Sequence, residues 1–197
     1  EPSEARTIAK QVEKLNLERR AIQESLLEEI SADLLGSNAS PVPNVIVVSG
    51  DEQLGWHRGI TGIVAARIRD RFNRPALVVS YNGDTAVGSM RSTASLHSVQ
   101  LLDSCADILQ KYGGHPAAAG FSLHTEMISE FRERLNSKAE EMLKGEQPPP
   151  SYTADLKLPP ARLNIELVDQ LSRLEPHGKG NPRPRLWVEG VKIASAR

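Results

Sequence analysis

One cysteine in 197 residues, Cys105, leaves no partner for a disulfide and excludes a disulfide-stapled framework. It falls on the apolar face of a predicted helix over residues 98–111, where a buried thiol outweighs a nucleophile. No segment approaches the ~20 apolar residues that a membrane-spanning helix needs, and no secretory leader is visible. The chain begins at Glu1 without a methionine, which reads as an excised piece of a cytoplasmic protein. Positive charge is not in excess either: 24 Lys and Arg stand against 25 Asp and Glu, for a net charge of −1. Any grip on nucleic acid therefore has to come from a local patch. The five histidines, at 57, 97, 115, 124 and 177, stand singly without Asp partners at ligand-like spacing, and no metal site is predicted.

What is present is enough for one full core and part of a second, since 39% of the chain is hydrophobic. Over residues 3–35, Ala5, Ile8, Ala9, Val12, Leu15, Ile22, Leu26 and Ile30 recur at spacings of three and four between charges, the pattern of a long amphipathic helix. Residues 37–44, with Pro41 and Pro43, read as a linker. Strands are expected at 45–49, 76–81, 85–90 and 120–124, the second and third forming a hairpin around Asn82-Gly83-Asp84. Helices are expected at 58–72, 96–111 and 126–143. Strands alternating with helices indicate an α/β fold with a mixed sheet flanked by helices. Gly145 to Ser151, with three prolines, is a stiff linker. The divisions are thus 1–36, 37–147 and 148–197.

Three clusters carry chemistry. In Tyr112-Gly113-Gly114-His115-Pro116-Ala117-Ala118-Ala119-Gly120-Phe121, paired glycines let the backbone approach a ligand, and a short helical turn from Pro116 ending at Gly120 would aim free N–H groups at a phosphate. The plainer reading is a glycine turn between a helix and a strand, with His115 on the surface. In Gly88-Ser89-Met90-Arg91-Ser92, Arg91 offers a planar donor fork and Ser89 and Ser92 offer hydroxyls; the alternative for Arg91 is a surface ion pair, worth little. In Gly55-Trp56-His57-Arg58-Gly59-Ile60-Thr61-Gly62-Ile63-Val64-Ala65, His57 and Arg58 precede a helix, although Trp56-His57 equally suits an anchor for the loop. Near the C-terminus Lys179, Arg183 and Arg185 beside Trp187 read as a strip tracking single-stranded nucleic acid with Trp187 as a stacking platform. The alternative there is a solvated rim around a core tryptophan.

The order Gly-Trp-His-x-Gly-Ile-x-Gly-Ile-Val-Ala, Arg74-Pro75, Gly-Ser-x-Arg-Ser, Gly-Gly-His-x-x-Ala-Ala-Gly-Phe resembles the DHH-associated domain of RecJ-type single-strand-specific exonucleases. The run from Leu174 to Pro184 is similar to the start of their next domain. The resemblance covers nearly the whole chain. It implies a connecting helix at the N-terminus, the DHH-associated domain, and then the start of an oligonucleotide-binding β-barrel, which 47 residues are too few to close. It further implies that Arg91, Ser89 and Ser92 hold phosphates, and that Gly113, Gly114 and His115 contact the phosphate near the scissile bond, with His115 either acting chemically or only binding.

RecJ-type enzymes cut with a divalent metal pair, Mn or Mg, held in an N-terminal domain with an Asp-His-His signature, which this sequence lacks. No cofactor is therefore expected in this chain, and the metal is expected in the missing domain. The substrate implied is single-stranded DNA, degraded 5′→3′ in repair and recombination, with a single-strand-binding protein or a helicase as further partners and no membrane. Two other functions stay open: a related phosphodiesterase on short oligonucleotides or cyclic dinucleotides, and a non-catalytic nucleic-acid-binding module such as the associated domain found beside alanyl-tRNA synthetases.

Overall fold

The computed structural model describes residues 2–36, 42–144, 149 and 152–192. The chain divides into two compact units, Glu1–Pro149 and Pro150–Arg197.

The first unit opens with helix α1, Pro2–Gly36. Only the C-terminal half of its apolar stripe is used: Leu26 and Ile30 are buried, whereas Ile8, Val12 and Leu15 are more than half exposed. Strand β1 (Ile46–Asp51) lies parallel to β2 (Ala76–Asn82), and helix α2 (Thr61–Phe72) makes the crossover between them. Strand β3 (Thr85–Arg91) returns antiparallel to β2 through a two-residue turn whose Gly83 has φ 57°, as expected for a tight hairpin. Helix α3 (Ser98–Asp103) follows, then β4 (Leu109–His115), β5 (Ala118–His124) and helix α4 (Ile128–Leu143). The sheet order is β1-β2-β3-β5-β4, with every pair after the first antiparallel. This is the expected α/β architecture with a mixed, helix-flanked sheet.

Because side chains alternate along a strand, each strand feeds two cores. Val45, Val47, Leu77, Val79, Met90, Ala119, Phe121 and Leu123 point to one side and pack under α3 and α4. Asn136 of α4 clamps the start of β1, accepting from Val45 N and donating back to Val45 O at 3.0 Å each. Ile46, Ala76 and Val78 point to the other side and meet Val64, Ala65 and Ile68 of α2 with Leu26 and Ile30 of α1. On that second side α2 packs against β2 and β3.

Residues 96–124 differ from expectation. The helix predicted to residue 111 stops at Asp103, Ala106 is exposed, and Leu109 is buried as the first residue of a strand. Leu102, Cys105 and Leu109 sit three and four apart, which imitates a helix face, but the edge of β5 offers residues 109–115 a ladder that is irregular only between Leu109 and Lys111. The helical turn expected at 116–119 is likewise absent: Pro116 and Ala117 are the turn of a tight β4–β5 hairpin. Ser92 N and Ser98 N donate to the Ala117 and Pro116 carbonyls at 2.9 Å and fix that turn.

In the second unit β6 (Leu156–Leu158) pairs parallel with β7 (Leu186–Val188), and helix α5 (Ile165–Ser172) lies between them in sequence. Asn164 caps α5 by accepting from Leu167 N at 2.9 Å. The linkers read at 37–44 and 145–151 fall largely outside the described residues.

Candidate nucleic-acid interface

Strand β3 sets the site, since residues one apart on it serve opposite faces. Gly88 and Met90 belong to the α3/α4 side: a Cβ on Gly88 would stand 2.3 Å from the Phe121 ring, so this glycine makes room for core packing. Ser89 and Arg91 face the α2 side. Ser92 falls back to the core side, buried, with its hydroxyl donating to Leu96 O at 2.6 Å. The phosphate contact expected of Ser92 is therefore corrected: strand alternation turns it away from Arg91, and its one proton is committed to the loop.

Arg91 is half-buried against the first turn of α2. One guanidinium nitrogen donates to Met90 O at 2.9 Å, and the other lies 2.7 Å from where a Cβ on Gly62 would be. Among the described residues no carboxylate pairs with it, so the ion-pair alternative does not hold. Thr61 Oγ1 donates to Arg58 O, which leaves Ser89 Oγ as the donor to Thr61 Oγ1, both at 3.0 Å. The Thr61–Gly62 contact was invisible to sequence reading; its only local signal is a glycine in the first turn of a helix, where Ala is favoured.

Cross-strand register extends the face. Ser89 pairs with Gly120, and Gly120 with Gly113; Arg91 pairs with Ala118, and Ala118 with His115. Partners across a ladder share a face, so Gly113 and His115 lie on Arg91's side of the sheet. Two strand spacings put the backbones of Arg91 and His115 about 10 Å apart. Gly114 faces the other way, where a Cβ would fall 2.4 Å from Ala118 O and 2.5 Å from Ala119 Cα. Its glycine is thus required by the hairpin itself, not by a ligand. These residues sit in the bodies of strands β3 and β4, not in loops.

The result is a bare platform. Among the described residues no helix of the first unit covers β5 and β4 on this side, and Gln110 through His115 are all exposed. Small residues at 113, 118, 120 and 122 keep it flat, and Lys111 pairs with Ser122 along the same face. Arg58 lines a depression with Thr85 and Val87, further along that face of β3. His57 is exposed, its carbonyl accepting from Ile60 N at 2.9 Å, while Trp56 is buried over Gly50 and anchors the loop.

In the second unit Lys179, Arg183, Arg185 and Trp187 are all exposed, Trp187 by 47%. Its indole N–H donates to Glu189 Oε1 at 2.9 Å, and Lys157 beside it holds the Glu189 carboxyl below its usual range. Asp155 and Arg185 exchange backbone and carboxylate hydrogen bonds at 2.8 Å.

The DHHA1 domain profile matches residues 43–141, and the RecJ OB domain profile matches residues 154–197. The chain belongs to the RecJ family. The single-stranded-DNA-specific exonuclease RecJ of Bacillus subtilis (strain 168) is 31% identical over 196 residues, covering 98% of this chain and 24% of that protein. RecJ of Escherichia coli (strain K12) is 31% identical over 188 residues, covering 92% and 32%. The crystal structure of RecJ in complex with Mn2+ from Thermus thermophilus superposes with a TM-score of 0.72 at 31% identity, over 95% of this chain and 27% of that one. The chain thus spans about a quarter to a third of the length of the curated RecJ relatives it matches.

Other RecJ structures hold Mg2+ or manganese. Among the described residues here no three His, Cys, Asp or Glu side chains converge to hold an ion.

Proposed function

We propose that this chain is the strand-holding part of a metal-dependent exonuclease that degrades single-stranded DNA 5′→3′ in repair and recombination, the metal-binding and bond-breaking residues lying outside it. The observation that carries the reading is Arg91: a guanidinium with no carboxylate partner among the described residues, half-buried against α2 beside Ser89 and bordering the open face of β5 and β4. A phosphodiester needs such a planar donor fork, and bases need an unobstructed surface to pass over. Arg91 holds one phosphate, with Ser89 tied to Thr61 beside it, Gly113 and His115 contact the strand two ladders away, and Arg58 lies along its path. Lys179, Arg183 and Arg185, with Trp187 as a stacking surface, track the strand in the second unit.

Titrating labelled oligothymidylate into the chain by fluorescence anisotropy tests this. Arg91→Ala is expected to weaken binding by about 1.5–3 kcal/mol and to reduce the slope of log K against log salt by about one. An unchanged slope overturns the phosphate assignment. A dinucleotide bound as tightly as the longer strand would instead favour a phosphodiesterase of small substrates. Nuclease turnover by this chain alone, with any divalent metal, would place the cutting residues inside it and overturn the division of labour.

A further inference from the structure

A second cluster of arginines lies on the other flank of α2. Arg19 and Arg20 of α1 and Arg67 of α2 border a cleft of about 380 Å³ between the two helices, with Gln23 and Ile63 in its walls and Glu24 as its single acid. At 3.6 residues per turn, Arg67 is about 140° around α2 from Gly62, the residue that touches Arg91. One phosphate on Arg91 therefore cannot serve this cleft as well.

The cleft's donors outnumber its acceptors. Arg19 Nε and Gln23 Nε2 are closed off from solvent and have no hydrogen-bond partner. Arg19 commits one terminal nitrogen to Asn16 Oδ1 at 2.6 Å. Glu24 stands one turn from Arg20, yet among the described residues neither Arg20 nor Arg67 is paired with a carboxylate. A buried donor left unmet costs the full desolvation of the group, and like charges gathered on facing helices repel. Both costs vanish when a multiply charged oxyanion enters, since guanidinium forks match tetrahedral oxygens. We infer that the α1–α2 cleft is a phosphate-binding site, taking the phosphate group of a nucleotide or of a nucleic-acid strand. Arg20 and Arg67 supply the entry charge. Arg19 and Gln23, whose Nε and Nε2 atoms are shielded from solvent as they stand, rotate about their terminal torsions to close on the ligand. Ile63 and Leu27 give an apolar wall for whatever the phosphate carries.

The inference stands apart from the strand reading of the sheet face, and the test separates them. Inorganic phosphate is titrated into the ¹⁵N-labelled chain at constant ionic strength while the Arg19 Nε–Hε and Gln23 side-chain amide resonances are followed. Saturable shifts of both are expected, weakened at least about tenfold by Arg20→Gln with Arg67→Gln, two exposed positions, as loss of two charge-assisted contacts requires. Arg91→Ala leaves them unchanged. Deoxythymidine monophosphate and an oligothymidylate are then compared: saturation at lower concentration by the oligonucleotide identifies a strand phosphate as the ligand, and by the monophosphate a free ester. Shifts that chloride reproduces, that never saturate, or that the double substitution leaves intact overturn the site. So does loss of the shifts in Arg91→Ala.

Discussion

Met90, Ala119, Phe121 and Leu123 point from the sheet into α3 and α4, while Ser89, Arg91, Gly120 and Ser122, one residue out of step on the same strands, point to a face that α2 covers only as far as β3. Both faces are made by β3, β5 and β4, and hydrogen bonding along the ladders is common to both. They differ in what was placed at alternate positions. Apolar volume on one side closes a core; small residues with a guanidinium, hydroxyls and an imidazole on the other leave a platform open. Stability and binding are thereby assigned to different residues of one element, and each can be perturbed without the other.

The largest effect is expected from the closed face. Phe131 of α4 is fully buried with its ring 5.0 Å from that of Phe121. Phe131→Ala should destabilise the first unit by about 3–5 kcal/mol, read from urea denaturation midpoints, while the fraction that remains folded binds oligothymidylate as before. A folded variant with proportionately weaker binding would contradict the separation of faces. Next comes Gly114→Ala. Its new methyl group meets backbone, the Ala118 carbonyl and Ala119 Cα, which cannot swing aside as a side chain can. The expected cost is about 1–3 kcal/mol, with the β4–β5 hairpin amides shifted in an NMR spectrum.

Much of this arrangement is readable from the chain because hairpins and amphipathic helices are local. Ala76–Asn82 opens as a continuous buried run and Thr85–Arg91 alternates, on either side of a glycine turn, and Ile128, Phe131, Leu135 and Ala139 repeat at helical spacing; both were expected where they are found. Residues 104–111 were not, since Leu102, Cys105 and Leu109 satisfy a helix face equally well and the competitor, the β5 edge, is a partner that only tertiary structure supplies. Arg91 and Ser89 stood out by chemical type. Separating them from Gly88 and Ser92 required carrying the period of two through the whole motif instead of treating it as a polar cluster. The packing of Gly62 on Arg91, and the meeting of Arg19 with Arg67, join separate elements and leave no mark in either local sequence.

The seat of Arg91 on Gly62 allows a finer cut between the two faces. A Cβ there would lie 2.7 Å from an Arg91 nitrogen and 3.4 Å from its Cζ, the far end of a flexible side chain. Gly62→Ala should therefore push the guanidinium off its seat without disturbing the fold. In a helix, Ala over Gly adds up to about 1 kcal/mol of stability, so a more stable protein with weaker oligonucleotide binding is expected. Equal binding with raised stability would mean that Arg91 does not need this seat to hold its ligand.

The smallest effect belongs to the closed side's rim. Arg134 of α4 donates to both oxygens of Asp107, at 2.9 and 2.7 Å, and also to Glu130, tying the turn after α3 to α4. The Arg134 hydrogen bonds hold the Asp107 carboxyl below its usual range. A carboxyl depressed in the folded state binds its proton less readily than the unfolded chain, where its pKa is about 3.9. Its contribution is present above that value and disappears as pH falls through the folded one. Asp107→Asn should accordingly lower the denaturation midpoint slightly at neutral pH, with the gap to the parent narrowing from pH ~4 downward. Both partners are solvated, so the gap should also shrink in high salt. A gap that persists at low pH would trace it to lost packing in the turn and not to charge, while binding to the open face stays unchanged in either case.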